Sequence, residues 1–266
     1  IDEKEFSAKL ISKIEKPEAI ENIDKIIKAS DAIMIARGDL GIEVEMEKLP
    51  ALQKMIIKKC LKRGKPVITA TQMMDSMIKN PNPTRAEILD VANAVLDGTD
   101  AVMLSGETSV GAHPALVVEK MNQIITEAEK NYEWTGKRPK PNVDSETFFS
   151  DTICLNAAKV AEDIGASGIV GLTISGYTAF KISSYRPNSK IFIFSAKEKI
   201  LNTLNLVWGV KTFYYDKFTT TDETIEDLGN ILKENHTVKK GDTLVNTGTM
   251  PLRDKGRTNM LKVTHV

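Results

Sequence analysis

Four short stretches of the chain set ionic or hydroxyl side chains where an apolar run gives out. Ser12-Lys13-Ile14-Glu15 spaces an ammonium and a carboxylate two residues apart, so an extended backbone points both to one side. Ala32-Ile-Met-Ile-Ala36 runs into Arg37-Gly38-Asp39, Thr69-Ala70 into Thr71-Gln72, and Met103-Leu104 into Ser105-Gly106-Glu107-Thr108. Glu15 and Asp39, at the ends of successive runs, could share one hard cation. Mg²⁺ suits such a pair, because it takes one or two carboxylates and completes its octahedron with water and substrate oxygens. Lys13 would be a point charge for a phosphoryl group, and Gly38 would let backbone N–H groups approach an anion. Each stretch also has an ordinary reading: Asp39 as a helix N-cap, Lys13 as a surface base paired with Glu15, Thr71 as a β-former, Ser105 or Thr108 as a cap. Four in succession on one rim is more ionic chemistry than structural loops need.

That rim requires elements to carry it. Apolar segments at Lys9 to Ile14, Ala32 to Ala36, Pro66 to Thr71 and Ala101 to Leu104 read as strands covered on both faces. A helical pattern follows each. Pro17-Glu18 suits a first helical turn, Thr84-Arg-Ala-Glu87 reads as a capping box stopped by Gly98, and further helices run from about Met46 to Leu61 and Pro114 to Lys130. Repeated βα units imply right-handed crossovers and a parallel sheet, whose carboxyl ends gather ligands.

With 266 residues, two domains or one barrel with an appendage are the expected sizes. Lys plus Arg and Asp plus Glu balance at 36 each, so no net field steers the protein to nucleic acid or an anionic membrane. No apolar run nears the roughly 20 residues of a membrane span. Cys60 and Cys154 lie far apart in helix-like patterns, which points to reduced thiols and the cytoplasm. Residues 1–132 form the βα repeat, a Pro- and charge-rich 133–146 reads as a linker, and 147–266 reads as an α/β domain. In the latter, Thr173-Ile-Ser175-Gly176-Tyr-Thr178 joins a strand to a helix, where hydroxyls and N–H groups could cradle a phosphate. A later loop from Gly248 to Asn259 carries Arg253, Lys255 and Arg257.

Ser12–Glu15, Ala36–Glu43, Thr69–Met73, Pro83–Glu87, Asp90–Gly98 and Met103–Thr108 together closely resemble the signature blocks of the pyruvate kinase family. The resemblance implies the C-terminal half of a (β/α)₈ TIM barrel, strands five to eight, followed by a three-layer α/β regulatory domain. The first four strands and a lid domain are not in this sequence, which opens on Ile1 rather than methionine. Four barrel strands alone leave two open edges, so the chain is expected to belong to a longer polypeptide.

The implied reaction is phosphoryl transfer from phosphoenolpyruvate to ADP. In it, Glu15 and Asp39 bind Mg²⁺ or Mn²⁺, Lys13 stabilises the phosphoryl in flight, and the backbone at Gly38 and Asp39, with Arg37 as positioning neighbour, receives the substrate carboxylate. Thr71 stands on the proton path to the enolate, with Ser105 and Glu107 behind it. Thr173, Ser175, Gly176, Thr178, Arg253 and Arg257 resemble a site for a phosphorylated sugar or nucleotide effector. The family also implies K⁺, with ligands outside this chain, and a homotetramer in which Arg85 is a subunit contact. Two rivals stand beside this reading: a Mg²⁺-dependent enolate lyase or aldolase barrel, and a non-catalytic fragment that needs its missing half.

Overall fold

The structure, a computed structural model, describes residues 8–130, 138–217, 219–250 and 256–266. The chain divides into two compact units, Ile1–Glu133 and Trp134–Val266. In the first, the order is β1 (Ile11–Ile14), α1 (Pro17–Glu21), α2 (Ile23–Ala29), β2 (Ala32–Ala36), α3 (Arg37–Glu43), α4 (Leu49–Arg63), β3 (Val67–Ala70), α5 (Arg85–Asp97), β4 (Ala101–Met103), α6 (Gly106–Ser109) and α7 (Pro114–Lys130). The strands make one parallel sheet in sequential order, with Lys13 opposite Met34, Ile35 opposite Thr69 and Ala70 opposite Met103. This register brings all four strand ends to one rim. β2 and β3 are buried at every residue but Met34, and α4 packs across both. Among the described residues β1 and β4 pair on one side only, and Leu10 and Ile11 at the β1 edge remain 49% and 44% exposed. Apolar side chains on an open edge call for a covering surface.

Several elements differ from the sequence-based expectation. The first helix breaks at Asn22, whose side-chain amide donates to the Glu18 carbonyl at 3.0 Å and competes with the ladder. Met46–Lys48 is a 3-10 turn, and α-geometry begins at Leu49, with Pro50 in the first turn where its missing N–H is tolerated. Arg37–Glu43 and Gly106–Ser109 are short helices rather than loops, so Asp39 and Glu107 stand in first helical turns. Two glycines in α3 argue against a helix on propensity, and tertiary packing overrides them.

The second unit runs α8 (Phe148–Asp163), β5 (Gly168–Leu172), α9 (Tyr177–Ser184), β6 (Lys190–Ser195), α10 (Glu198–Leu204), β7 (Val210–Tyr214), α11 (Thr221–Glu234), β8 (Thr243–Gly248) and β9 (Met260–His265). Its sheet has the order β7-β6-β5-β8-β9, with β9 antiparallel. Alternation sorts the two faces: Ile169, Ile191, Ile193 and Val245 pack with α8, α9 and α10, while Val170, Phe192, Phe194 and Leu244 pack with α11. Three layers result. Among the described residues no helix is long and apolar enough to cross a membrane. Cys60 and Cys154 are buried free thiols, and burial pushes both up to about 12.

The capping box at α5 forms as expected, and Glu87 does more than cap. Its carboxylate accepts from Thr84 N at 2.7 Å, Thr84 Oγ1 at 2.9 Å, Ser76 N at 2.7 Å and Ser76 Oγ at 2.6 Å, tying the helix start to the turn at Asp75–Ile78. Burial alone would raise the Glu87 pKa, but the hydrogen bonds from Ser76 and Thr84 outweigh it and hold the group below its ordinary 4.5. A depressed carboxyl stabilises the fold above its ordinary value, and that contribution is lost as pH falls through the folded value. Glu87→Gln is therefore expected to lose about 1 kcal/mol of protection in the first turn of α5. Amide hydrogen exchange at Ala86 to Leu89 reads this; unchanged protection, or an acid sensitivity that survives the substitution, contradicts it.

Candidate active site

The rim gathers most of the residues singled out in the sequence. Lys13, on β1, sends its ammonium to Glu15 Oε2 at 2.5 Å and to Asp39 Oδ2 at 2.7 Å, and all three side chains keep between a third and just over half of their exposure. One nitrogen touches both carboxylates, so the two oxygens lie no farther apart than those contacts laid end to end. Asp39 is not an N-cap: Ala36 holds that position, without a side-chain capping bond. The Asp39 and then the Glu15 hydrogen bond raise Lys13 to about 12, and the same lysine holds Asp39 below the usual carboxylate range. The cluster is an ammonium permanently charged at neutral pH beside two oxygen-rich, solvent-facing groups.

Arg37 begins α3 and turns inward, 7% exposed. Its Nη1 donates to Asp90 Oδ1 at 2.7 Å and Gln53 Oε1 at 3.4 Å, and its Nη2 to the carbonyls of Thr71 at 2.9 Å and Gln72 at 3.1 Å. Those carbonyls belong to a turn with left-handed backbone at Thr71 (φ 67°) and Gln72 (φ 53°). Non-glycine residues held there cost about 1–3 kcal/mol each and persist where surroundings over-determine them. The guanidinium supplies the contacts to the turn's two carbonyls.

The Gly38 N–H donates to Thr71 Oγ1 at 2.7 Å, while the Thr71 hydroxyl donates to the Ala70 carbonyl at 2.6 Å. Thr71 is thus fixed at both backbone and hydroxyl. Glu107, 2% exposed, accepts from Ser105 N at 2.7 Å and Met74 N at 3.3 Å, joining the turn after β4 to the chain after β3. Ser105 is the N-cap residue of α6 without a side-chain cap. Asp90, Gln53 and the Met74 N–H were not foreseen as part of the site. Asp90 stands as a lone acid in Ile88-Leu89-Asp90-Val91-Ala92, and a buried arginine needs such a counter-charge.

In the second unit Thr173 and Thr178 are buried and Ser175 is exposed, at the junction of β5 and α9. Thr173 Oγ1 accepts the Gly176 N–H at 3.0 Å, Gly176 (φ 83°) takes the left-handed N-cap position, and the Thr178 and Thr258 hydroxyls meet at 2.6 Å. Arg257 is engaged with Glu146, through its carbonyl and through Oε2 at 3.0 Å. Arg253 and Lys255 lie outside the described residues. Among the described residues no group of three or more His, Cys, Asp or Glu side chains comes together to hold a metal ion.

Consecutive parallel strands ending in an ionic rim, followed by a three-layer α/β unit, define a β/α-barrel segment with an appended domain. Residues 1–118 match the family described as "Pyruvate kinase, barrel domain" and residues 151–264 "Pyruvate kinase, alpha/beta domain". Curated pyruvate kinases from Clostridium acetobutylicum and Geobacillus stearothermophilus are 47% and 44% identical, each over 96% of this chain. The same alignments cover 54% and 43% of those proteins, so the chain spans about half their length. A crystal structure of a Cryptosporidium parvum pyruvate kinase superimposes with TM-score 0.88 at 39% identity, over 97% of this chain and 52% of that one; a second, in complex with ADP, gives 0.84. The chain belongs to the pyruvate kinase family.

The coupling of Lys13 to Asp39 is directly measurable. Lys13→Met removes the partner that depresses Asp39, so the Asp39 carboxyl should titrate upward toward 3.8. Carbon-detected NMR of the side-chain carboxyl follows this, and an unmoved titration contradicts the pairing.

Proposed function

We propose that the complete protein transfers the phosphoryl group of phosphoenolpyruvate to ADP, giving pyruvate and ATP in glycolysis, and that this chain supplies half of the site. The observation that carries this reading is the single ammonium of Lys13 in contact with both Glu15 and Asp39. The donor set fits a hard cation: two carboxylate oxygens that reach one nitrogen are also close enough for one Mg²⁺ or Mn²⁺, whose oxygen ligands stand about 2.0–2.1 Å from a magnesium centre. When bound, the metal neutralises charge on substrate carboxylate and phosphoryl oxygens. Lys13, charged at neutral pH, faces the phosphoryl oxygens and stabilises charge that grows during transfer. The backbone around Gly38 and Asp39, in the first turn of α3, is the proposed seat of the substrate carboxylate, whose arrival requires the Gly38 N–H to be shared with or released from Thr71 Oγ1. Thr71 is a relay on the path that carries a solvent proton, through water, to the enolate carbon, with Ser105 and Glu107 standing behind it in that relay.

K⁺ dependence, a homotetramer and a cytoplasmic location belong to the same proposal and follow from family membership. A phosphorylated effector at Thr173, Ser175, Gly176 and Thr178, with Arg253 and Arg257, is its regulatory part. Its support is the turn with glycine at φ 83° opening α9. A non-catalytic role for the chain by itself is favoured by one observation, the half-exposed apolar residues on the β1 edge, which pairs on one side only among the described residues. The two readings combine: the chain alone is expected to be silent and to turn over once joined to the other barrel half.

A lactate-dehydrogenase-coupled assay separates the options. Pyruvate should form from phosphoenolpyruvate only when ADP is present, and Lys13→Met should lower kcat by about 10²–10³-fold. Pyruvate release without ADP would favour a lyase, and full activity in Lys13→Met would contradict the assignment.

A further inference from the structure

We propose that the Asp90–Arg37 ion pair is a positioning device that holds Thr71 on the proton path, an inference resting on the function proposed above. Three observations meet there. Thr71 is β-branched and sits at φ 67°, a backbone such residues avoid, and Gln72 follows at φ 53°. Neither is held by a regular ladder; β3 ends at Ala70. What holds them is Arg37, which donates to both carbonyls, Thr71 O receiving Nε at 3.3 Å as well as Nη2 at 2.9 Å. Arg37 is aimed in turn by Asp90 at 2.7 Å, from the middle of α5. The chain of contacts runs from a helix carboxylate through a buried guanidinium to the backbone that carries the Thr71 hydroxyl.

The geometry separates this role from simple stabilisation. Arg37 holds the two peptide planes that follow Thr71, on either side of Gln72, through their carbonyls rather than through the Thr71 hydroxyl. That hydroxyl spends its proton on Ala70 O at 2.6 Å and accepts Gly38 N–H at 2.7 Å, so a small rotation of the turn breaks both contacts and re-aims Oγ1. Asp90 thereby acts on proton transfer to the enolate, with little effect on capture of phosphoenolpyruvate, which falls to Lys13, Glu15 and Asp39. Gln53, which accepts from Arg37 Nη1 at 3.4 Å and donates to Asp97 Oδ2 at 3.1 Å, is a weaker brace on the same guanidinium.

The test uses the complete protein with both barrel halves. Asp90→Asn should lower kcat by about 10²-fold, the scale of a misplacement near 1 Å, with the KM for phosphoenolpyruvate little changed. Exchange of the pyruvate methyl protons with solvent, a reaction that needs no phosphoryl transfer, should slow in parallel. Thr71→Ala added to Asp90→Asn should cost far less than it does alone, because both act on one step. Gln72→Gly, which accepts a positive φ without a clamp, should restore part of the Asp90→Asn loss. Independent, multiplying losses, an unaffected exchange rate, or no restoration by Gln72→Gly would overturn the proposal. Should Asp90→Asn fail to fold, Arg37→Lys keeps the charge and loses the fork, and the same outcomes apply. Should the unmutated protein neither transfer nor exchange, the proposed function fails instead; the φ of Thr71 in a crystal structure of Asp90→Asn then decides, with a retained left-handed turn overturning the positioning role.

Discussion

The strand-end rim depends on one buried guanidinium. Arg37 reaches Gln53 on α4, Asp90 on α5 and two carbonyls after β3, so two successive βα units, the one after β2 and the one after β3, converge on a single side chain. A charge at 7% exposure is tolerable only with such partners, and Asp90, its side chain 38% exposed, supplies the counter-charge. Planarity matters here as well as charge: the fork aims several N–H groups at once, which an ammonium cannot do. Glu107 does the complementary work with the opposite sign, accepting backbone N–H groups from the chain after β3 and the turn after β4. Between them, a buried cation and a buried anion fix the backbone on which the exposed groups stand.

Those exposed groups follow a different economy. Lys13, Glu15 and Asp39 are half open to solvent, where ion pairs stabilise a fold very little. Stability therefore does not account for collecting them at neighbouring strand ends. Parallel register does the collecting: Lys13 lies opposite Met34, and Asp39 follows the same strand five residues on. Preorganised charge in reach of solvent is what a site for an anionic substrate and a cation requires.

Much of this was legible in the sequence, for reasons that differ by element. β2 and β3 announce themselves because burial on both faces leaves an unbroken apolar run, and α5 because its capping box and terminal glycine are local signals. α3 was not legible: Gly38 and Gly41 lower its propensity, and contacts from other units make it helical. The ionic rim could be placed because strand ends in a βα repeat share one side. The inward turn of Arg37 could not, since its partners at 53, 71, 72 and 90 are distant in sequence and nothing local distinguishes a buried arginine from an exposed one. Likewise, the contact of the Gly38 N–H with the Thr71 hydroxyl could not be read, since the two lie 33 residues apart.

The central claim is that Glu15 and Asp39 hold one divalent cation beside Lys13. Its most direct measurement is Mn²⁺ binding to the complete protein, followed by electron paramagnetic resonance. One site per chain is expected, with affinity reduced at least about tenfold, some 1.4 kcal/mol, by either Glu15→Gln or Asp39→Asn. Binding that is indifferent to both substitutions would contradict it.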